Sequence, residues 1–97
     1  MITEEKIRLT KGSDNVFEDL GFSHVEAMNL KIRTDLMIEL RSFILKKGWT
    51  QSEAAQFFNE TQPRISNLMN VDISRFSVDK LLNMIAKANM KVKLEVF

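Results

Sequence analysis

Gln62, Arg64, Ser66 and Asn67 place two carboxamides, a guanidinium and a hydroxyl within six residues. The chemistry open to such a set is directional hydrogen bonding, because carboxamides present a donor and an acceptor side by side and guanidinium presents several donors in a plane. These groups recognise a surface; they do not move protons at neutral pH. Groups that would do so are sparse. His24 is the only histidine and cysteine is absent, so neither a thiolate nor a multi-histidine metal site is expected. No glycine-rich phosphate loop occurs, and the carboxylates are scattered over solvent-facing helical positions. We therefore expect no catalytic residues, no metal and no cofactor, and the protein is not expected to be an enzyme.

The elements that must carry these groups are legible from their caps. Thr50, Gln51, Ser52, Glu53 form a capping box, in which the threonine oxygen accepts from the Glu53 amide while the Glu53 carboxylate reaches back. A helix therefore starts at about Gln51, carrying Ala54, Ala55, Phe57 and Phe58. Asn59, which tolerates a left-handed backbone, ends it. Thr61 caps the next helix, whose first turn is Gln62, Pro63, Arg64, since proline fits an early helical position at no loss of a hydrogen bond. Ile65 and Leu68 face inward, leaving Gln62, Arg64, Ser66 and Asn67 outward. Two short helices joined by a tight turn, the second with a polar outer face, form the layout of a helix-turn-helix that reads a major groove.

Around this pair, Met1 to Lys11 lacks helical period and is expected to be a flexible arm or short edge strand. Gly12, Ser13, Asp14 and Asn15 form a turn cluster, followed by an apolar knot of Val16, Phe17, Leu20, Gly21 and Phe22 that docks on the main body. Ser23 with Glu26 is a second capping box. It opens a long helix through Met28, Ile32, Leu36, Leu40, Phe43 and Ile44 to Lys47, stopped by Gly48, with Met37, Ile38 and Leu45 widening its apolar stripe. Trp49 is expected to pack onto Phe57. Asn70 to Phe76 reads as a loop, and Ser77 caps a further helix carrying Leu81, Leu82, Ile85 and Ala86, with Asn89 near its end. Methionines 28, 37, 69, 84 and 90 are expected to fill the core. Last, Val92, Leu94 and Val96 alternate with Lys91, Lys93 and Glu95, the period of a half-buried strand. That strand needs a partner: residues near Ile7 and Leu9, or its own copy in a second chain. We favour the copy, which makes Val92, Leu94 and Val96 dimerisation residues.

Ninety-seven residues and 44% hydrophobic content suit one modest domain. We divide it into an N-terminal arm and docking segment (1–22), a helix-turn-helix domain (23–90) and a dimerisation strand (91–97). The charged start is unlike a secretory signal and no stretch is long and apolar enough to span a membrane, so a soluble, cytoplasmic protein is expected. The formal net charge is only +1. Within 49–76, Arg64 and Arg75 meet Glu53, Glu60 and Asp72, so a nucleic-acid ligand would be held with little phosphate neutralisation.

The residues from Thr50 to Ala55 and from Thr61 to Leu68 resemble the helix-turn-helix of the XRE family, related to lambda-type phage repressors. Gly12, Ser13, Asn15 to Phe17, Asp19 to Gly21, Phe76, Ser77, Leu81, Leu82 and the closing strand extend the resemblance, over roughly 12–97, to the HigA-type antitoxin branch. It implies a mainly α, lambda-repressor-like bundle of four to five helices, with a C-terminal β-strand pairing across a homodimer. It further implies a repressor that binds a palindromic operator in double-stranded DNA, autoregulates its operon and neutralises a RelE/HigB-like toxin. Alternatives are a toxin-binding module with little DNA binding and a phage-type repressor without a toxin. Carried over by position, Gln62, Pro63, Arg64 and Asn67 would read bases, with Gln62 suited to adenine and Arg64 to guanine or a phosphate. Thr50, Gln51, Thr61, Ser66 and Arg75 would hold phosphates, Gln51 beside the free amides of a helix start. Pro63 departs from the polar residue common in phage repressors and offers an apolar face, suited to a thymine methyl. Val71, Asp72 and Ile73 stand where relatives often carry basic residues.

Overall fold

The computed structural model describes residues 6–10 and 15–95. Its helices open on short polar side chains that accept hydrogen bonds from otherwise unpaired amides. Asn15, Ser23, Thr50, Thr61 and Ser77 accept from the backbone N–H of Phe17, Glu26, Glu53, Arg64 and Lys80, respectively. The elements these caps begin are α1 (Val16–Asp19), α2 (His24–Lys47), α3 (Gln51–Phe58), α4 (Gln62–Met69) and α5 (Val78–Lys87). A 3₁₀ turn at Ile73–Arg75 lies inside the segment expected to be irregular. Strands β1 (Lys6–Thr10) and β2 (Lys91–Glu95) complete the order.

The same stopping device ends α1 through α5. A left-handed residue lets its own N–H and the next one reach back to carbonyls of the last turn, satisfying acceptors the helix leaves open. The pairs are Gly21 to Glu18 with Phe22 to Phe17, Gly48 to Leu45 with Trp49 to Ile44, and Asn59 to Gln56 with Glu60 to Ala55. Val71 to Leu68 with Asp72 to Asn67, and Asn89 to Ala86 with Met90 to Ile85, repeat it. Glycine and asparagine take that backbone at little strain. Val71, at φ 53°, is the exception, since its branched side chain crowds the carbonyl there.

The core lies where α2 crosses the helix pair and α5. Leu36, Met37, Leu40 and Ile44 recur at helical spacing on α2 and are buried against Ala54, Ala55 and Phe58 of α3 and Ile65 and Leu68 of α4. Leu81, Met84 and Ile85 of α5, then Ala88 and Met90, close the other side, with Phe76 buried beneath the loop. Met37, Met84 and Met90 are buried, and Met28 and Met69 half-buried, as core filling requires. Two expectations change. On α5 Leu81, Met84 and Ile85 face inward as expected, while Leu82 and Ala86, carried on the same helix, are exposed, because the three- and four-residue spacing of the buried row leaves them off its face. Ile38 and Leu45, expected to widen the α2 stripe, are 47% and 56% exposed.

At the N-terminal side, Asn15 is buried and serves twice: its Oδ1 caps α1, and its Nδ2 donates to the Ala27 carbonyl of α2 at 2.9 Å. The apolar knot is thus tied to α2 by a polar side chain, with the Phe17 and Phe22 rings edge to face at 6.2 Å. The strand beginning at Lys91 pairs in parallel with β1 of its own chain, in the register Ile7 to Val92 and Leu9 to Leu94. The observed partner is therefore the first of the two candidates rather than a second copy. Of the expected dimerisation residues, Val92 is half-buried and Leu94 is 61% exposed, while Val96 lies outside the described residues. Among the described residues no helix is long and apolar enough to cross a membrane.

Candidate nucleic-acid interface

The two helix starts expected to meet DNA are built as the caps require. Thr50 Oγ accepts from Glu53 N–H at 3.1 Å and Glu53 Oε1 accepts from Thr50 N–H at 2.9 Å, closing the box. Gln51 follows, exposed. Thr61 Oγ accepts from Arg64 N–H at 3.3 Å, with Pro63 in the first turn of α4. Each threonine oxygen accepts here, so its own O–H remains a donor for an outside acceptor.

Packing decides which face of α4 is presented. Ile65 and Leu68 are fully buried, which turns Gln62 and Pro63 to solvent and leaves Arg64, Ser66 and Asn67 half-buried along the flanks. Helix α3 behind it is fastened by rings: Trp49 lies 4.8 Å from Phe57, and Phe43 of α2 lies 5.8 to 6.2 Å from Trp49, Phe57 and Phe58. Trp49 therefore packs as expected.

Thr61, Pro63, Arg64, Asn67, Ser74 and Arg75 line one open cleft of about 420 Å³. Five residues expected at the interface meet there, with Ser74 added by the loop. Thr50 and Gln51 stand at the start of α3, outside this cleft, and Gln62 and Ser66 lie on α4 without lining it.

Electrostatics depend on partners that spacing alone leaves unseen. The Glu60 carboxylate, in the turn between α3 and α4, has a side chain only 11% exposed; it pairs with Lys80 Nζ of α5 and lies 3.9 Å from Arg64 Nε. Arg64 Nη1 donates to the Arg75 carbonyl at 2.7 Å, and its guanidinium stands 5.5 Å over the Phe76 ring. From the far side, Arg33 Nη1 of α2 donates to the carbonyls of Ile73 and Phe76 at 3.1 and 3.2 Å. Asp72 accepts from Ser74 Oγ at 2.8 Å and faces Arg75 Nε at 3.5 Å, while the Arg75 side chain is 65% exposed. All three carboxylates within 49–76 thus face donors of their own chain. Glu60 and Arg64 carry a legible signal, an acid four residues before a base, although Glu60 precedes the helix and reaches Arg64 from the turn. Lys80 and Arg33 reach the site from other helices, which no local pattern announces. His24, away from this face, pairs with Glu18 at 2.6 Å between α1 and α2.

Residues 16–97 match the model of the helix-turn-helix domain family. No curated protein matches the chain in sequence.

Proposed function

The chain belongs to the helix-turn-helix domain family, and from that premise we propose that it is a dimeric, sequence-specific repressor of the XRE type that binds a palindromic operator. One observation carries this reading: α4 buries Ile65 and Leu68 completely while its capped first turn, Thr61 to Pro63, stands exposed beside the Arg75 loop. A groove reader presents the N-terminal residues of its second helix in this way. Gln62, Pro63 and Asn67 would face base edges. Thr50, Gln51, Thr61, Ser66 and Arg75 would face phosphates. Arg64 stands among the readers with its guanidinium turned toward its own chain. Val92, Leu94 and Val96 would contribute to the dimer, a reading favoured by the exposed Leu94.

Selecting duplexes from a randomised pool tests the proposal. The wild-type chain should enrich a two-fold symmetric sequence, and Gln62→Ala with Asn67→Ala should lose discrimination of about 1–3 kcal/mol per contacted base while retaining weak binding. Failure to enrich any sequence overturns it.

A second role, antitoxin of an autoregulated pair with a RelE/HigB-like toxin, is favoured by a different surface. Val16, Leu20, Phe22 and Val25 are 54%, 69%, 43% and 76% exposed near the acidic Glu18, Asp19 and Glu26. An apolar patch with an acidic rim suits a small basic partner. Co-expression with the product of the neighbouring gene tests this: copurification lost in Leu20→Asp supports it, and no association overturns it, leaving a phage-type repressor.

A further inference from the structure

Arg64 would be the natural reader of guanine on α4, yet its guanidinium is already engaged on three sides. The short bond from Nη1 to the Arg75 carbonyl, at 2.7 Å, is charge-assisted and therefore among the stronger kind. Glu60 faces its Nε, held in place by Lys80 of α5, and the Phe76 ring lies beneath it. Reading a base would require leaving all three. The loop that Arg64 grips is over-determined from elsewhere as well: Arg33 holds the Ile73 and Phe76 carbonyls, and Phe76 is buried. Carbonyls of residues 73, 75 and 76 are thus fixed by two guanidiniums from two different helices. What this rigid turn presents outward is the Arg75 side chain, 65% exposed and met within the chain only at Nε, by Asp72 at 3.5 Å among the described residues, at the lip of the cleft shared with Thr61, Pro63 and Asn67.

We infer that Arg64 is a positioning residue, a strut from the Lys80–Glu60 pair to the Arg75 carbonyl that aims the Arg75 guanidinium at a DNA phosphate, and that it does not read a base. The inference rests on the DNA-binding reading above. Under it, Arg64 governs affinity for every sequence alike and acts only through Arg75.

The test uses a duplex selected by the wild-type chain from a randomised pool, together with single-base variants of it, titrated at several salt concentrations. Arg64→Ala should weaken binding to all of them by a similar factor, about tenfold, and flatten the dependence of log K on log salt by about 0.9 per protomer, the share of one phosphate. Arg75→Ala should do the same, and the double variant should match either single one. A role confined to holding the fold together would lower thermal stability and leave the salt slope unchanged, overturning the inference. Loss of preference confined to one base pair would make Arg64 a reader and also overturn it. Additive losses in the double variant would give Arg64 a contact of its own, which is equally incompatible with a strut. Should Arg64→Ala not fold, Arg64→Gln, too short to reach the Arg75 carbonyl, carries the same comparison. If the wild-type chain selects no duplex at all, the parent reading falls first and takes this one with it, a failure distinct from any pattern among the variants.

Discussion

Val71 shows how a single residue carries information that propensity rules miss. Nothing in its neighbours marks it as a stopping point; the family of helix ends in this chain does, because the same bonding pair recurs at Gly21, Gly48, Asn59 and Asn89. A valine in that backbone is strained by roughly 1–2 kcal/mol, offset by half-burial against the core beside Met69 and Ile73. The offset separates two variants. Val71→Ala removes the two methyls and Val71→Gly one carbon more, but only glycine also removes the left-handed strain, which outweighs that single half-buried carbon. Glycine should therefore be the more stable of the two by about 1 kcal/mol, the reverse of their order inside a helix. Chemical denaturation of the pair reads the difference directly, and equal midpoints, or alanine above glycine, would refute the strain at this position.

For elements, the capping residues are the most legible feature of the sequence, because a cap is a local bond between a side chain and an amide two or three residues on. Thr50 with Glu53, Ser23, Thr61 and Ser77 all cap where the pattern places them. So do the stops at Gly48 and Asn59. What local pattern cannot supply is partnership at long range. Whether Leu82 is buried or exposed depends on how α5 is rotated against α2, and the strand at Lys91 has two admissible partners, one separated from it by most of the chain and one in a second copy. The candidate site divides in the same way: the exposed first turn of α4 follows from its cap and from inward Ile65 and Leu68, whereas Arg33 and Lys80 come from outside the motif. Caps also allow the two roles of Thr61 to be separated. Aspartate caps a helix as well as threonine and suits the positive end of the helix dipole, so Thr61→Asp should keep stability within about 0.5 kcal/mol. Its carboxylate would face the expected phosphate, and DNA affinity should fall at least about tenfold, since opposed like charges are strongly unfavourable. Retained affinity would remove Thr61 from the interface.

At the scale of the whole molecule, a net charge of +1 and three carboxylates around the interface, each facing a donor of its own chain, leave little cationic excess for phosphates. Arg75 is the one charged side chain among the proposed phosphate ligands; Thr50, Gln51, Thr61 and Ser66 bring neutral donors, which position the backbone without releasing counterions. If each protomer neutralises one phosphate, the dimer should show a salt slope of roughly −2, since each neutralised phosphate contributes about 0.9. A slope steeper than about −5 would mean that other cations, outside this face, carry the binding. With so little electrostatic affinity per protomer, tight binding must come from two copies engaging half-sites about 34 Å apart, where the second contact is effectively intramolecular. Leu94 offers a way to remove the copy without removing the fold, because it is 61% exposed in the single chain. Leu94→Asp should leave the thermal midpoint nearly unchanged, halve the mass seen by sedimentation and weaken binding to the symmetric duplex by at least about 100-fold, the lower end of what bivalency supplies. Undiminished mass in this variant would place the dimer contact elsewhere, and undiminished affinity in a sedimenting monomer would show that one helix pair suffices.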